Sequence, residues 1–440
     1  MVNIWLKLKN WLLLIGDVAI LYLSLWLTLL IRYGKNYYQM IDAHLWPFSI
    51  LFAIWIIIFY ISNLYDLRQA KNKSSFFFHL LLILTICGAI GAAFFYFAPI
   101  SISPKTNLIL DLAITAILIF GWRVVFNSLV STPRQNIVII GNNEETRNLS
   151  QEIKQHPQWG YRLIKVISPQ NLNELDQAIT NDKVSIIVIS DDLYQTQELI
   201  DKLYESLIEK IEVYTLADFY EMLLQKIPPS IISKAWFLRN LAEGRKQAFD
   251  RLKRIFDIIL SSFGIIISLP LYPFLITAIK LDSSGPIFYT QTRLGKLGRP
   301  FRIVKFRTMV KDAEKNGAEW AKPNDSRITK IGKLLRRTRL DELPQLFNVF
   351  WGEMSIVGPR PERPEFIRQL EQTIPFYRQR LLTKPGITGW AQVNYKYSSN
   401  IAGAMEKLQY DLYYIKNRSF YLDLIIILKT IKIILTAKGQ

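Results

Sequence analysis

Histidine and cysteine are nearly missing from this 440-residue chain, which carries only His44, His79, His156 and Cys87. One cysteine excludes a disulfide within the chain and any site built on several thiolates. The C-terminal half has neither residue type. Any acid, base or nucleophile there must come from a carboxylate, lysine, tyrosine or hydroxyl. Acidic residues are also in short supply, with 36 Asp and Glu against 54 Lys and Arg, a net charge of +18. Such a surplus suits nucleic acid or an anionic membrane surface. The apolar runs described next favour the membrane, and no nucleic-acid partner is expected.

Long apolar runs are what the chain has in excess. Trp11–Ile31 holds 21 residues with one charge, Asp17, and Leu45–Leu64 holds 20 with none. Phe76–Pro99 adds 24 with only His79, and Leu108–Val130 adds 23 with Asp111 and Arg123. A helix needs roughly 20 residues to cross the hydrocarbon layer, so four spans are predicted within residues 1–130. The first run is too long for a signal peptide and lacks a small-residue cleavage pattern. Lys7, Lys9, Arg68, Lys71, Lys73, Arg123 and Arg134 fall on one side, against Arg32, Lys35 and Lys105 on the other. The positive-inside rule then makes the N-terminus cytoplasmic and returns the chain to the cytoplasm at about residue 131.

Over 135–225 the texture changes to alternating strands and helices. Asn136–Ile140 and Val184–Ser190 read as strands, Glu144–Gln155 and Asp191–Ile208 as helices, which predicts a small parallel α/β domain of Rossmann-like type. Its first loop, Gly141-Asn142-Asn143-Glu144-Glu145-Thr146, has one glycine and two acids where a dinucleotide fingerprint needs three glycines and room for phosphate. The Tyr161-x-x-x-Lys165 spacing falls where the second strand belongs and is read as chance. A structural or regulatory module is therefore expected.

Ile255–Ile279 is a further apolar run of 25 residues, interrupted by Asp257, Pro270 and Pro273. A plain fifth span would put 281–440 outside. Yet Arg245, Lys246, Arg251, Lys253 and Arg254 precede the run, a cluster suited to anionic headgroups. Arg293, Lys296, Arg299, Arg302, Lys305 and Arg307 follow it. A helix that bends at Pro270 and re-enters its own leaflet satisfies both flanks. Phe420–Leu435, broken by Asp423, Lys429 and Lys432, reads as an interfacial helix.

Arg327–Arg339 predicts an amphipathic basic helix, and Asp341 and Glu342 follow it directly. Adjacent helical carboxylates point about 100° apart and can serve two tasks; an acidic pair that merely favours a helix dipole is the alternative. Gly358-Pro359-Arg360-Pro361 fixes one guanidinium between two prolines, as a phosphate grip or as a rigid surface turn. Lys384–Asn394 (KPGITGWAQVN) is glycine-rich enough for close backbone approach to a ligand.

Together, KRIFDIIL (253–260), GPIFYTQTRLGKLGRPFRIVKFRTM (285–309), RLDELPQLFNVFWGEMSIVGPRP (339–361), KPGITGWAQVN (384–394) and YDLYYIKN (410–417) resemble the bacterial sugar transferase family. Its members are polyprenyl-phosphate hexose-1-phosphate transferases of exopolysaccharide, O-antigen and capsule assembly, and the four spans resemble its polytopic branch. The resemblance implies a membrane protein of α plus α/β class. Residues 1–130 would be transmembrane, 135–225 Rossmann-like, and 245–440 a mainly helical catalytic domain with its re-entrant helix at about 255–279. It further implies transfer of a hexose 1-phosphate from a UDP-hexose to polyprenyl phosphate with release of UMP, at the cytoplasmic face of the bacterial inner membrane. Asp341 would be the nucleophile, Glu342 the ligand of Mg²⁺, and Asp411 a further required acid. Arg336 and Arg360, with Lys305 and Arg307, would hold phosphate. The family's Ser-Pro pair at the re-entrant turn is replaced here by Leu269-Pro270, with Ser268 one position early. A nucleotide-sugar oxidoreductase or dehydratase and a non-catalytic scaffold are the alternatives. The sequence leaves the sugar unread, and a homo-oligomer is compatible with it.

Overall fold

The computed structural model describes residues 2–62, 64–65, 74–97, 105–129, 135–171, 173–190, 193, 197–206, 211–241, 246–311, 313, 325–395 and 400–435. Arg68, Lys71, Lys73 and Arg134, used above to orient the spans, and Arg245 of the basic cluster lie outside the described residues. The chain divides into two compact units. One is Met1–Val138, Ser150–Val166 and Gln177–Ile186; the other is Ile139–Leu149, Ile167–Asp176 and Ile187–Gln440.

The first unit opens with helices α1 (Val2–Tyr33), α2 (Tyr37–Ile61), α3 (Ser74–Phe97) and α4 (Lys105–Leu129). A single 3₁₀ turn joins α1 to α2 at Gly34, whose φ of +53° only glycine adopts freely. Trp11–Ile61, which spans α1 and α2, and the stretches Phe76–Phe97 and Thr106–Phe126 are long and apolar enough to cross a membrane. The helices share a core that includes Leu21, Phe48, Leu51, Trp55, Cys87 and Leu108. Outward residues such as Trp11, Ile15, Leu82 and Ile117 stay exposed and apolar, as lipid contact requires.

The charges that interrupt the apolar runs pair inside this bundle. Arg123 donates to Asp17 at 2.5 Å with both side chains buried. Asp111 accepts from Ser24 at 2.7 Å, and Ser24 accepts from Thr115 at 2.8 Å. Intramembrane charge is tolerated because its partner is built in.

In the middle region, β1 (Gln135–Ile140), α5 (Glu144–Gln155), β2 (Tyr161–Ile167), α6 (Asn173–Asp182), β3 (Ile186–Ile189), α7 (Gln197–Ser206) and β4 (Glu212–Thr215) alternate. The four-stranded sheet runs β2-β1-β3-β4. Gln135 N–H bonds Gly160 O (2.8 Å) at one end of β1, and Gly141 N–H bonds Ile167 O (3.1 Å) at the other. Ser185 to Asn136 (2.9 Å) and Ser190 to Ile140 (3.1 Å) repeat the pattern for β3, so both neighbours of β1 lie parallel to it. Tyr161 and Lys165 both sit on β2. The loop after β1 is closed on itself: the Asn143 amide oxygen accepts from Thr146 N (2.8 Å) and Oγ1 (2.7 Å), and its Nδ2 donates to Ser190 Oγ (3.1 Å).

The remaining elements are α8 (Leu216–Leu224), α9 (Lys234–Asn240), α10 (Gln247–Ser268), α11 (Tyr272–Asp282), β5 (Phe288–Leu294), β6 (Pro300–Phe306), α12 (Lys330–Thr338) and α13 (Gln345–Trp351), then β7 (Ser355–Val357), α14 (Pro364–Thr373), β8 (Gly386–Thr388), α15 (Trp390–Asn394), α16 (Ile401–Asn417) and α17 (Phe420–Leu435). Helix predominates, as expected, but two small sheets were not read from the sequence. β5 and β6 form an antiparallel hairpin from Phe288↔Phe306 to Leu294↔Pro300. β7 and β8 pair in parallel. A Cβ on Gly358 would meet the Gly386 nitrogen at 2.9 Å. The glycines of the two motifs thus let one backbone approach the other closely.

The run 247–282 is a fourth stretch long and apolar enough to cross a membrane, and it is broken where Pro270 predicts. α10 ends at Ser268, a 3₁₀ turn covers Leu269–Leu271, and α11 follows. Ser268 Oγ donates back to Ile265 O at 3.1 Å, so the serine acts on the turn preceding the proline. Both ends are fastened to the second unit. Lys253 pairs with Asp423, and Arg254 donates to the carbonyls of Val349 (2.6 Å) and Phe350 (2.7 Å). Asp257 accepts from Ser355 Oγ (2.9 Å) and Ile356 N (3.0 Å), while at the far end Asp282 accepts from Ile331 N (2.8 Å). Between these anchors Phe263, Ile266, Ile267 and Phe274 are exposed.

Removing one partner of a buried ion pair typically costs about 3–5 kcal/mol. Asp17→Ala is therefore expected to lower the thermal midpoint of the detergent-solubilised protein markedly, and Asp17→Leu/Arg123→Leu to recover most of the loss. Differential scanning fluorimetry of the two variants measures this.

Candidate active site

The two carboxylates sit on a turn defined by the helix before it. Thr329 Oγ1 accepts from Gly332 N at 3.0 Å and starts α12, and the helix ends at Arg339, whose φ is +58°. A non-glycine residue there stores strain of order 1–3 kcal/mol. The following 3₁₀ turn, Leu340–Glu342, carries the pair. At three residues per turn the carboxylates diverge by about 120°, not by the helical angle expected. Asp341 and Glu342 are 8% and 7% exposed.

Glu342 is the electrostatic centre. Its Oε1 accepts from Arg360 at 2.9 Å and Lys305 at 3.1 Å, and Arg339 lies 3.9 Å from Oε2. Burial alone would raise its pKa; Lys305, Arg360 and Arg339 together outweigh burial and hold it well below the usual range. Asp341 behaves oppositely. Burial, with Glu342 adding, pushes its pKa up against the opposing fields of Lys305, Arg336 and Arg360. Neighbouring carboxylates with opposite shifts are the pattern of a site with two assigned roles. Burial, reinforced by the Arg360 and Arg293 charges, lowers the pKa of Lys305. The cations around the pair are crowded, which is a site prepared for added negative charge.

Surrounding elements hold this arrangement. Lys305 comes from β6, and Asn348 of α13 ties the motif to that strand. Its Nδ2 donates to Arg302 O (2.8 Å) and Glu353 Oε2 (2.6 Å), and its Oδ1 accepts from Val304 N (3.2 Å). Arg360 is fixed from behind: Arg380 NH2 donates to its carbonyl at 3.0 Å and to Asp411 at 2.9 Å, while Arg380 NH1 donates to Tyr377 OH at 2.6 Å. Burial raises the Asp411 pKa to about 6, with Arg380 opposing.

Of the residues predicted from sequence, Asp341, Glu342, Lys305 and Arg360 come together. Arg336 lies beside them, its Nε donating to Thr308 Oγ1 at 2.9 Å. Asp411 stands one layer behind, on the Arg380 side of Arg360. Arg307 is placed elsewhere: its NH2 donates to Ser283 O (2.6 Å) and Oγ (2.9 Å) at the end of α11. Pro270 lies in the helix break. Arg339 figures in the sequence only as the last residue of the basic helix, and no motif there singles out Arg380 or Tyr377. No motif marks Arg380, because the partners that tie it to the site, Arg360 and Asp411, are 20 and 31 residues away in sequence.

Two adjacent carboxylates with a loosely engaged Oε2 suit Mg²⁺, which takes oxygen ligands from one or two carboxylates and completes its shell with water and substrate phosphate. Among the described residues no group of three or more His, Cys, Asp and Glu could form a larger cage.

A buried carboxylate pair inside a basic shell, beside a broken apolar helix, marks a membrane-associated protein with a carboxylate-bearing, cation-rich site. Comparison places it more narrowly. The sequence profile of the bacterial sugar transferase family matches residues 248–437. The chain is 46% identical over 188 residues to the UDP-N-acetylgalactosamine-undecaprenyl-phosphate N-acetylgalactosaminephosphotransferase of Aeromonas hydrophila, covering 43% of this chain and 44% of that protein. It is 34% identical over 318 residues to the UDP-glucose:undecaprenyl-phosphate glucose-1-phosphate transferase of Xanthomonas campestris pv. campestris, covering 67% and 66%. With an uncharacterized sugar transferase of Bacillus subtilis it shares 37% identity over 192 residues, 43% of this chain and 89% of that one. The chain belongs to the bacterial sugar transferase family, and its match spans less than half of the Aeromonas relative.

The opposite shifts predict opposite pH effects on stability. Glu342, with a depressed folded pKa, contributes stability that is present above its unfolded value of about 4.5 and lost as pH falls toward the folded value. Asp411, raised from 3.8 to about 6, contributes stability that is present below 3.8 and lost as pH rises through 6. Glu342→Gln should therefore flatten the acid limb of thermal midpoint against pH, and Asp411→Asn the fall between pH 4 and 6. Melting curves across pH 3–8 measure both.

Proposed function

We propose that this protein is a phosphoglycosyl transferase that moves a hexose 1-phosphate from a UDP-hexose to a polyprenyl phosphate of undecaprenyl type, releasing UMP. The observation that carries the reading is the pairing of Asp341 and Glu342, oppositely shifted and buried among Lys305, Arg336, Arg339 and Arg360, in a sugar transferase chain. The Aeromonas and Xanthomonas relatives are undecaprenyl-phosphate transferases by name, which supports a lipid-borne acceptor.

In the first step an Asp341 carboxylate oxygen bonds to the β-phosphorus of the donor. The bond from that phosphorus to the oxygen bridging the two phosphates breaks, and the electron pair leaves with UMP. In the second, a phosphate oxygen of the polyprenyl phosphate attacks the phosphorus of the aspartyl phospho-sugar. The acyl-phosphate bond breaks, Asp341 regains its carboxylate, and the product is a polyprenyl diphosphate sugar. A carboxylate needs no histidine to activate it, and its raised pKa makes it the more basic member of the pair. Arg360 and Lys305 hold phosphate oxygens and offset the charge that would repel an anionic nucleophile. Glu342 would hold Mg²⁺, which when bound would supply further charge neutralisation on the diphosphate.

The acceptor's membrane origin fits the helix break at Pro270. Both anchored ends of α10–α11 belong to one unit, so the exposed apolar middle enters and leaves the bilayer on one side, as a re-entrant helix. Nucleotide sugars are cytoplasmic, which puts that side at the inner face of the plasma membrane. The middle sheet fits a structural or regulatory Rossmann-like module. Its loop after β1 is filled by Asn143 and Thr146, and Glu144 and Glu145 start α5, which disfavours the dinucleotide-dependent alternative.

Asp341→Asn should lower UMP release from UDP-hexose in the presence of polyprenyl phosphate by at least about 10³-fold, the scale of removing a nucleophile. Its thermal midpoint should not fall, because the variant removes a carboxylate that burial already disfavours. Substantial UMP release by the folded variant would overturn the assignment. For the wild type, kcat/KM should rise with pH as Asp341 ionises, through a limb displaced upward from the ordinary aspartate range.

A further inference from the structure

Residues 216–241 precede the segment matched by the family profile, yet they are built into its core. Thr215 Oγ1 accepts from Asp218 N at 3.0 Å and starts α8 directly at the end of β4. From there the chain lies along α16. Glu221 accepts from Lys416 Nζ (2.6 Å) and Asn417 Nδ2 (2.7 Å). Lys226 donates to Glu406 at 2.6 Å, and Ile227 N–H donates to Gln409 O at 3.0 Å. Trp390 Nε1 donates to Gln225 O at 3.0 Å, at a residue whose φ is +56°. Ile227, Ile232 and Trp236 share one apolar core with Tyr377, Leu381, Leu408 and Leu412.

Those last residues flank the machinery. Tyr377 accepts the hydrogen bond of Arg380, and Leu408 and Leu412 bracket Asp411 on α16. The route is continuous: strap to α16, α16 through Asp411 to Arg380, and Arg380 to the carbonyl of Arg360. Each link is a buried or half-buried polar contact or a shared core, the physical form in which coupling travels. The strap meets α15, α16 and the Tyr377–Leu381 segment, so it acts on Arg360 through the residues that hold Arg380 and Asp411.

We propose that residues 216–241 are a positioning strap. They hold α16 so that Asp411 and Arg380 set the Pro-Arg-Pro turn, and thereby tie the placement of Arg360 to the last strand of the middle sheet. Glu221 and Lys226 are positioning residues for a reaction they do not touch. This rests on the transferase reading above for its catalytic readout, and on backbone exchange for a readout independent of it.

The test uses the full chain in detergent with polyprenyl phosphate and a panel of UDP-hexoses. The readouts are UMP release and amide hydrogen exchange. Lys226→Glu sets two carboxylates against each other, and Lys226→Glu/Glu406→Lys restores an ion pair in reverse. Glu221→Gln is the milder variant, kept in case Lys226→Glu does not fold. In the folded single variants kcat/KM should fall about tenfold, within the range a small displacement of a positioned group produces. Exchange should rise at Gly358 and Arg360, whose amides flank Pro359, and at 377–382, and the reversed pair should restore both. Unchanged kcat/KM per folded molecule, or faster exchange confined to 216–241, would overturn the strap. Absence of UMP release from wild-type protein with every sugar would instead sink the transferase reading, while the exchange pattern would still decide the strap.

Discussion

The Glu342 carboxylate is the interaction on which the catalytic unit depends. It is buried, and burying an anion is costly unless it is paired and hydrogen-bonded. Lys305 arrives from β6 and Arg360 from the turn after β7, and both donate to the same oxygen. Arg339 joins them from the strained end of α12. Two segments distant in sequence, β6 and the turn after β7, are thereby fixed to the Leu340–Glu342 turn, and Asp341 is carried along beside them. The opposite pKa shifts of the two acids follow from this placement: one takes the cations directly, the other mainly takes the burial.

A second shell of charge repeats the device behind the first. Arg380 is buried with Asp411 and Tyr377 and spends one donor on the Arg360 backbone. The guanidinium facing the site is thus held at both ends, at its head by Glu342 and at its backbone by Arg380. The membrane bundle uses the same solution with Arg123 and Asp17. In both places a buried charge is tolerated because a partner from a distant segment is supplied.

Much of this was legible in the sequence, and what was missed shares a cause. The apolar runs, the alternation of strand and helix over 135–225 and the break at Pro270 are local signals, and each was found near its predicted place. Asp341, Glu342, Lys305 and Arg360 were recognised through motifs whose residues do converge. The β5–β6 hairpin was overlooked because its strands sit inside a motif read for its basic residues. Arg307 was expected to hold phosphate, yet its side chain donates to Ser283 at the end of α11. Arg380 and the strap carry no local pattern, because their meaning lies in partners that only folding brings near.

The central claim is that Asp341 becomes covalently phosphorylated by the sugar phosphate. Wild-type protein incubated with the UDP-hexose it accepts, without polyprenyl phosphate, and digested under conditions that preserve acyl phosphates should yield one modified peptide. It should contain Asp341, carry the added mass of a hexose phosphate, and lose it when polyprenyl phosphate is supplied. An unmodified Asp341 peptide under conditions of rapid turnover, or the adduct on another residue, would contradict the account.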